Sequence, residues 1–571
     1  MIDDGLDIPE GQVLSAQVCI VGAGAAGVTL ALELAGRGVE VVLLEAGGWK
    51  VDKACQHDLD GEVLSPAHHA PLPECRSRQL GGTTALWVGR CLPLDPIDLE
   101  QRDYVPDSAW PIDWTELDRH YPRANEYCHA GTYAYTVAEA LPHAPESIVP
   151  GFEDGVLIAG LIERWSLPTH FGRHYRRAFS AKKNLRVFLN SACTEVELDL
   201  ERRRVRTVSV ATAPGRRFRV EAEFFVLAGG GLETTRLLLA SNRVEADGIG
   251  NRSGHLGRYY SGHVSGSVAE IQFRGDPRRT IYGFERDSDG VYCRRRFWLA
   301  PETQRKEGLL NTAFWPTNPP AADPQHRNGI LSAAYLALSL PFLRDKLAAP
   351  AIQKMFCGES TGQSYWPHVR NIFLDLPRAS LYSAHLLYRR FVTERRIPAL
   401  FVYSPANRYD LYYHAEQAPN RRSRVELADD VDRFGMRRLQ VDLRYSSQDI
   451  DSVVRAHEVL VREMQDHQRV ARIDYKRDDV YGHVLAQATD GYHQIGTTRM
   501  AASERHGVVD GHCRIHGVEG LYVCSSSVFP TSGHANPTLT IVALAVRLAH
   551  HIGDLCGQNR TRAVGPDVPV Q

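Results

Sequence analysis

The amino-acid sequence predicts an α/β fold in which the principal domain is assembled from separated parts of the chain. A β-branched run at Val18–Val21 passes into a glycine-rich turn and then into an Ala- and Leu-rich helical pattern, and a second strand pattern follows at residues 39–45. Residues 224–239 repeat the order of buried strand, glycines and helix. A chain of 571 residues is also too long for one compact core. We therefore expect a discontinuous Rossmann-like domain and a second, mixed α+β domain.

The first glycine motif has the spacing of a dinucleotide site. Gly22 permits the tight turn, Gly24 lets a pyrophosphate approach the backbone, and Gly27 lets helix and strand pack closely. Glu45 ends the second strand about 20 residues later, where an acidic side chain accepts hydrogen bonds from a ribose. The motif therefore predicts a bound dinucleotide on the helix N-terminus.

A second glycine-rich stretch lies between residues 76 and 90. Gly81 and Gly82 are followed directly by Thr83 and Thr84, so backbone N–H groups and hydroxyls are offered side by side. After a dinucleotide motif, this stretch is best interpreted as a second cradle for the same cofactor.

The rest of the chain divides by composition. Residues 92–183 are rich in Pro, Tyr, Trp and His and are interpreted as an excursion over the cofactor. Alternating patterns from residue 184 to residue 222 predict an antiparallel meander. The predicted division is a dinucleotide domain (1–100, 186–260 and 481–555), an excursion (101–185), a substrate domain (261–480) and a flexible tail (556–571).

Charge and composition exclude several classes of partner. Lys plus Arg number 66 against 68 Asp plus Glu, so no nucleic-acid partner is expected, and the Arg runs 202–204 and 294–296 are interpreted as solvated loops. Eleven cysteines without a C-x-x-C pair favour reduced thiols and a cytoplasmic location. No secretory signal is recognised at the N-terminus. The apolar run Ile330–Leu343 is too short to span a membrane and carries Pro341, so a buried helix is expected.

Taken together, these motifs and two C-terminal stretches, 491–500 and 520–540, resemble the glucose-methanol-choline family of flavin oxidoreductases, most closely its pyranose-oxidase-like branch. The resemblance implies FAD. It implies that Glu45 binds the ribose, that the backbone of Cys193 contacts the adenine, and that Pro537 and Thr538 lie near the flavin. The implied cofactor-binding residues are Gly22, Gly24, Ala25, Ala26, Gly27, Glu45, Ala46, Arg78, Gly81, Gly82, Thr83, Thr84, Trp87, Cys193, Ala228, Gly229, Ser525, Ser526, Asn536, Pro537 and Thr538.

The resemblance also implies the catalytic pair. His493 matches the family's active-site histidine, and Asn536 matches its partner. Oxidation of an alcohol needs a base for the hydroxyl proton, and an imidazole with an ordinary pKa of about 6.5 suits that task near neutral pH. Asn536 can donate a hydrogen bond to the developing alkoxide. His534 and Gln494 are further candidates for substrate contact, and no metal site is expected.

Two positions depart from the family pattern. Leu86 stands where some pyranose oxidases attach the flavin to a histidine, so non-covalent FAD is expected. Ser525 stands where many members carry an Asp near the diphosphate, which leaves that contact unassigned.

The expected activity is oxidation of a secondary hydroxyl of a sugar or glycoside. Two alternatives stay open: a sterol or other apolar alcohol as substrate, and a lyase reaction on the same fold. A non-enzymatic flavin protein is disfavoured by the presence of both His493 and Asn536. Oxygen, a quinone and a protein all remain possible electron acceptors.

Overall fold

A computed structural model of the chain describes residues 1–563, except residues 146, 200, 202, 282, 341 and 343–363. The strands are β1 Ile2–Asp4, β2 Val13–Val21, β3 Val41–Leu44, β4 Gly61–Val63, β5 Arg90–Cys91, β6 Leu157–Trp165, β7 Leu185–Leu189, β8 Ala192–Asp199, β9 Arg204–Ala213, β10 Arg216–Leu227, β11 His263–Phe273, β12 Glu285–Arg286, β13 Tyr292–Leu299, β14 Thr312–Thr317, β15 Arg408–Glu416, β16 Arg424–Val431, β17 Arg437–Asp442, β18 Ala471–Tyr475 and β19 Leu521–Val523.

The helices are α1 Ala25–Gly36, α2 Lys53–His57, α3 Pro96–Leu99, α4 Trp114–Asp118, α5 Tyr121–Cys128, α6 Val137–Ala140, α7 Phe171–His174, α8 Arg176–Ala181, α9 Gly231–Ala240, α10 Pro301–Glu307, α11 Gly329–Ser339, α12 Trp366–Leu374, α13 Leu376–Phe391, α14 Ser447–Val461, α15 Val480–Gln487 and α16 Thr538–Ala563.

The first sheet is the dinucleotide-binding sheet. Its strand order is β1-β7-β3-β2-β10-β9-β8, and β19 also pairs with β10. The central strands β7, β3, β2 and β10 are parallel, whereas β8, β9 and β10 form an antiparallel meander. The expectation that the meander begins at residue 184 is wrong for β7, because Leu185–Leu189 pairs in parallel with β3 instead. Four of its five residues are buried, which is typical of a parallel strand covered on both faces.

Helices α1 and α16 pack against this sheet and share its core with it. By length and composition alone, residues 538–559 of α16 could cross a membrane, but 67% of that apolar window is buried inside the protein. This burial is typical of a core helix. The expectation of a flexible tail from residue 556 is wrong up to residue 563, because α16 continues to Ala563. Residues 564–571 lie outside the described part of the chain.

The second sheet has the order β18-β11-β15-β14-β13-β6-β5. Its strands pair antiparallel, and β14 accommodates Pro316 within the pairing of β14 with β15. Strand β6 lies in the segment that the sequence analysis interpreted as an excursion, yet it pairs with β13 of the substrate domain. The predicted division of residues 101–185 from residues 261–480 therefore separates strands that share one sheet.

Helix α11 covers the apolar run that was expected to be a buried helix. Ile330, Leu331 and Tyr335 are buried against α12 and α13 in a small separate core. Pro341 and Leu343, at the end of that run, lie outside the described residues. Helices α11 and α13 line the central cavity, and α12 packs against α11.

Candidate active site

The first glycine turn joins β2 to α1, and its three glycines differ in the atoms that surround them. Gly22 has φ +101°, and a Cβ there would lie 2.6 Å from the Cα of Gly229. A Cβ on Gly27 would lie 1.8 Å from the carbonyl oxygen of Gly22, so Gly27 allows the helix to close on the turn. A Cβ on Gly24 would meet nothing within 4 Å, because this residue faces the cavity. The open space therefore lies at the N-terminus of α1, where an anionic diphosphate is stabilised.

Glu45 lies at the end of β3 beside that turn. Its Oε2 accepts a hydrogen bond from the backbone N–H of Ala23 at 3.0 Å, and its Oε1 accepts one from Gly47 at 2.8 Å. Burial raises the pKa of Glu45 to about 7 despite these hydrogen bonds. The carboxyl group also lines the cavity, so it is positioned to contact a ribose placed there.

The second glycine turn packs directly against the first. Gly81 has φ +95°, and a Cβ there would lie 2.5 Å from the backbone nitrogen of Gly172. A Cβ on Gly82 would lie 3.1 Å from the Cα of Gly24, which brings the two turns together. The Thr84 hydroxyl donates to the carbonyl of Gly81 at 2.6 Å and holds the turn in place.

Both turns open into one large cavity of about 1570 Å³. Such a volume exceeds the usual range of about 300–1000 Å³ for a single small ligand, so it accommodates a dinucleotide together with a substrate. The predicted site residues that line the cavity are Gly22, Gly24, Ala25, Ala26, Glu45, Ala46, Arg78, Gly82, Thr83, Thr84, Trp87, Cys193, Ala228, Gly229, His493, Gln494, Ser525, Ser526, Asn536, Pro537 and Thr538.

Three predicted site residues do not line the cavity. Gly27 and Gly81 lie behind the turns, where their missing side chains permit backbone packing. The expectation that His534 contacts substrate is wrong, because its side chain is fully buried and its Nε2 lies 3.2 Å from Asp95. Gln494 reaches the cavity wall, but its Oε1 accepts from the backbone N–H of Leu232 at 3.3 Å, which anchors the start of α9.

The predicted catalytic pair, His493 and Asn536, lies in the wall of the cavity. Nδ2 of Asn536 is 3.0 Å from Nε2 of His493. A guanidinium N–H of Arg90 donates to Oδ1 of Asn536. Because a guanidinium can only donate, this contact directs the Asn536 amide nitrogen towards His493. The amide nitrogen is a donor, so Nε2 of His493 must carry the lone pair.

The proton of His493 then resides on Nδ1, next to a carboxylate. Nδ1 lies 3.0 Å from Oδ2 of Asp490, and the backbone N–H of His493 donates to Oδ1 of the same residue at 3.1 Å. Burial would raise the pKa of Asp490, but His493 and His263 outweigh it and hold that pKa well below its ordinary value. An ionised Asp490 therefore orients the imidazole and stabilises it when it becomes protonated.

Two more histidines surround this pair. The rings of His263 and His414 stack at a centroid distance of 4.4 Å, and Nδ1 of His263 lies 3.0 Å from Nδ1 of His493. One nitrogen from each of the three rings lies within 4.8 Å of the others, which is close enough to consider a metal ion. Nδ1 of His493 already contacts Asp490, and Nδ1 of His414 donates to the carbonyl of His534 at 2.7 Å. We interpret the cluster as hydrogen-bonded imidazoles; burial lowers the pKa of His263 to about 4, so that ring is neutral near pH 7.

A buried charge cluster extends from Arg90 along β6 and β13. Glu163 accepts from Arg90 through Oε1 and from Arg294 through Oε2, the latter at 2.6 Å. Burial would raise the pKa of Glu163, but Arg294 and Arg90 outweigh it and hold the pKa at about 2. The guanidinium of Arg294 also lies 4.1 Å from the ring centroid of Trp315. Arg90, Arg294 and Trp315 all line the cavity beside the catalytic pair.

The sequence analysis missed this cluster. It interpreted residues 294–296 as a solvated loop, but they form part of β13 and are largely buried. Of the other Arg run, residue 202 is not described, Arg203 is partly exposed and Arg204 begins β9. The aromatic and apolar residues on both sides of the run, from Tyr292 to Leu299, could have indicated a strand. No sequence signal, however, pairs Arg294 with Glu163, 131 residues earlier.

Asp490 could have been found from its position. It lies three residues before His493, and a nearby carboxylate is the usual partner of a catalytic imidazole. His263 and His414 carry no motif of their own, because only the pairing of β11 with β15 brings them together.

Two family models match separate parts of the chain. Residues 17–350 match the family model of FAD-dependent oxidoreductases, and residues 419–545 match the model of the C-terminal part of glucose-methanol-choline oxidoreductases. The fructose dehydrogenase large subunit of Gluconobacter japonicus is 22% identical over 95% of this chain and 98% of its own length. A C-glycoside 3-oxidase of Microbacterium trichothecenolyticum is 36% identical over 23% of this chain and 24% of its own length.

The aligned parts of the first curated relatives span only 8% to 24% of those proteins. Among solved structures, pyridoxine 4-oxidase from Mesorbium loti aligns with a TM-score of 0.51 over 94% of this chain and 99% of its own, at 17% identity, which supports the fold alone. The double glycine cradle, the cavity and the two family models agree. The chain belongs to the glucose-methanol-choline family of FAD-dependent oxidoreductases.

Proposed function

We propose that this protein oxidises a secondary hydroxyl of a sugar or glycoside to a carbonyl, with His493 as the base. The observation that carries the proposal is the contact of Nε2 of His493 with Nδ2 of Asn536 at 3.0 Å inside the cofactor-sized cavity. A hydroxyl that displaces this contact would donate its proton to the lone pair of Nε2 and accept a hydrogen bond from the amide of Asn536 at once.

The protein's own groups divide the work of proton transfer. Nε2 of His493 takes the hydroxyl proton, and the imidazolium that results is stabilised by the ionised Asp490 at Nδ1. Asn536 donates to the substrate oxygen as negative charge develops there. Arg90 fixes the orientation of that amide, so it acts as a positioning residue.

The residues of the two glycine turns fit FAD, which supplies a hydride acceptor when bound. The turn before α1 would hold its diphosphate, and Glu45 would bind the ribose. We propose that FAD is held non-covalently, because Leu86 stands at the position where a linking histidine occurs in the resembled branch. Acid precipitation tests this: a yellow supernatant supports free FAD, and a yellow pellet contradicts it.

The inner end of the cavity supports a polyhydroxylated substrate. Arg90 and Arg294 line it, and each guanidinium carries five N–H donors in a fixed planar arrangement. Such donors suit the oxygens of neighbouring hydroxyls. Two relatives are named for oxidation of a glycoside and for dehydrogenation of fructose, which supports placement with the sugar-oxidising, pyranose-oxidase-like members.

A second candidate substrate is an apolar alcohol. The outer wall of the cavity is apolar over a long stretch, which suits an aglycone or an alkyl chain equally well. The residues that form this wall are Ala333, Ala337, Leu338, Leu386, Leu387, Phe391, Leu400 and Phe401.

The test is anaerobic mixing of the purified yellow holoenzyme with D-glucose, D-fructose, phenyl glucosides, cholesterol and 1-dodecanol, followed by absorbance. Bleaching by a sugar or glycoside supports the proposal, and bleaching by only an apolar alcohol supports the second candidate. If no alcohol bleaches a flavin that dithionite reduces, the oxidation proposal fails in favour of a lyase reaction.

Reoxidation of the bleached enzyme identifies the acceptor. Recovery of colour in air supports an oxidase, and recovery only with a quinone or a protein acceptor supports a dehydrogenase. We also propose a cytoplasmic location, which is supported by the ten described cysteines, all of them free thiols.

A further inference from the structure

Two helices beside the cavity mouth expose many large apolar side chains. About half of the exposed large apolar residues in the described part of the chain lie between residues 340 and 392. Six of them, each more than half exposed, define what we name the apolar face: Trp366, Phe373, Leu374, Leu381, Phe391 and Val392. Contiguous exposed apolar patches on a folded protein mark interaction surfaces.

The spacing of these residues follows the turns of the helices. Trp366 and Phe373 lie two turns apart on α12, and Leu381 and Phe391 lie about three turns apart on α13. The opposite side of α13 packs inside the protein, where Ala379 is buried against residues of α11. The outward side chains are therefore additional to those that stabilise the fold.

Positive charge accompanies the apolar face. Residues 364–396 contain six arginines and two carboxylates. Three of these arginines, Arg389, Arg390 and Arg395, donate hydrogen bonds to protein groups and are only partly exposed. Arg370 and Arg396 are exposed at the two ends of the segment. Exposed Trp, Tyr and Leu side chains with arginines at the edges are the composition of a surface that lies in the headgroup region of an anionic membrane.

The apolar face is continuous with the wall of the cavity. Leu387 and Phe391 are both about half exposed and also line the cavity. On α11, Ala333, Ala337 and Leu338 extend the same apolar wall inwards. A bilayer seated on the apolar face would therefore lie at the mouth through which ligands reach the inner site.

We propose that the apolar face docks the protein on a membrane that contains anionic lipids, with the cavity mouth at the membrane surface. The proposal does not depend on which alcohol is oxidised. Burial of apolar side chains supplies the attraction, and the arginines add attraction to anionic headgroups that salt weakens.

The test is sedimentation of the holoenzyme with vesicles of phosphatidylcholine, alone or mixed with phosphatidylglycerol. We expect binding to the mixed vesicles, weaker binding to phosphatidylcholine alone, and release by salt. The triple variant F373S/L374S/L381S should lose at least about tenfold in partitioning, because three exposed apolar side chains no longer insert. The matched control L6S/V244S/V431S changes three exposed apolar residues elsewhere and should bind as the wild type does.

A second measurement locates the contact. Vesicles with brominated acyl chains should quench the fluorescence of the wild type more than that of W366F, because Trp366 is 73% exposed on the apolar face. Flavin content and circular dichroism verify that every variant is folded. The proposal is overturned if the wild type ignores both kinds of vesicle, or if the triple variant binds as well as the control. It is also overturned if light scattering shows a dimer that the triple variant abolishes without any lipid binding.

Discussion

At the residue scale, the proposed chemistry depends on His493, which is held between Asp490 and Asn536. We predict that His493→Ala retains FAD and lowers the rate of flavin reduction by about 10²- to 10⁴-fold, the usual effect of a lost general base. Anaerobic stopped-flow absorbance with the best substrate of the panel measures this rate. His467 is exposed and lies in the helical turn that follows α14, so His467→Ala supplies the control. The flavin of this variant should be reduced at the wild-type rate. An unchanged rate in His493→Ala would remove this imidazole from the mechanism.

The second prediction at this scale concerns the contribution of Glu163 to stability. It is fully buried between Arg90 and Arg294, so Glu163→Gln leaves two guanidinium groups without their counterion. We expect the free energy of unfolding to fall by about 3–5 kcal/mol. Urea unfolding followed by circular dichroism measures the change.

The matched control for Glu163 is the exposed pair of Glu126 and Arg123. Solvent screens this pair, so Glu126→Gln should cost at most about 1 kcal/mol. Equal losses in the two variants would show that the buried cluster does not stabilise the contact between β6 and β13.

At the element scale, α1 depends on two glycines in opposite ways. Gly27→Ala places a Cβ 1.8 Å from the carbonyl oxygen of Gly22, so we expect the variant to lose FAD or to fail to fold. Gly36 lies in the last turn of the same helix, and a Cβ there meets nothing within 4 Å. Gly36→Ala should therefore keep FAD and gain up to about 1 kcal/mol from helix propensity. The ratio of flavin to protein absorbance after purification checks both, and full flavin content in Gly27→Ala would contradict the assignment.

At the scale of the whole molecule, buried histidines make stability depend on pH. Burial lowers the pKa of His457 and of His263 to about 4, whereas their unfolded value is about 6.5. Between these values the unfolded chain binds more protons, so the stability that each residue contributes is complete above pH 6.5. It is lost as the pH falls towards 4, at up to about 1.4 kcal/mol per pH unit for each residue.

His457→Gln tests this dependence away from the active site. His457 lies in α14 and is fully buried, and its Nδ1 donates a hydrogen bond to the backbone carbonyl of Val453 at 2.8 Å. Glu45 and Asp449 have raised pKa values and act in the opposite direction, so the informative quantity is the difference between wild type and variant. The urea midpoint of the variant should fall less steeply between pH 6.5 and pH 4.5. Parallel pH profiles would show that His457 does not titrate on unfolding.

Local patterns were sufficient for the cofactor site. The glycines and Glu45 lie within one β-α-β unit, where the sequence order determines which backbone groups meet. Contacts between residues far apart in the chain could not be predicted from such local patterns. Strand β7 was assigned to the meander because alternation is a local property, whereas its parallel partner β3 is 144 residues earlier in the chain. Arg294 was misplaced for the same reason, since an arginine is expected at the surface unless its buried counterion is known.

The sequence by itself determined the class of protein, and it predicted the cofactor cradle and the pair of His493 and Asn536, because short motifs encode backbone geometry and residue chemistry directly. The tertiary structure decided the tautomer of His493, the buried contact of Arg90 with Glu163, and the exclusion of His534 from the cavity. It also placed the apolar face at the cavity mouth. These features depend on which strands pair and on which side chains are removed from water when the chain folds. Both are properties of the folded chain and are not encoded in any short segment of the sequence.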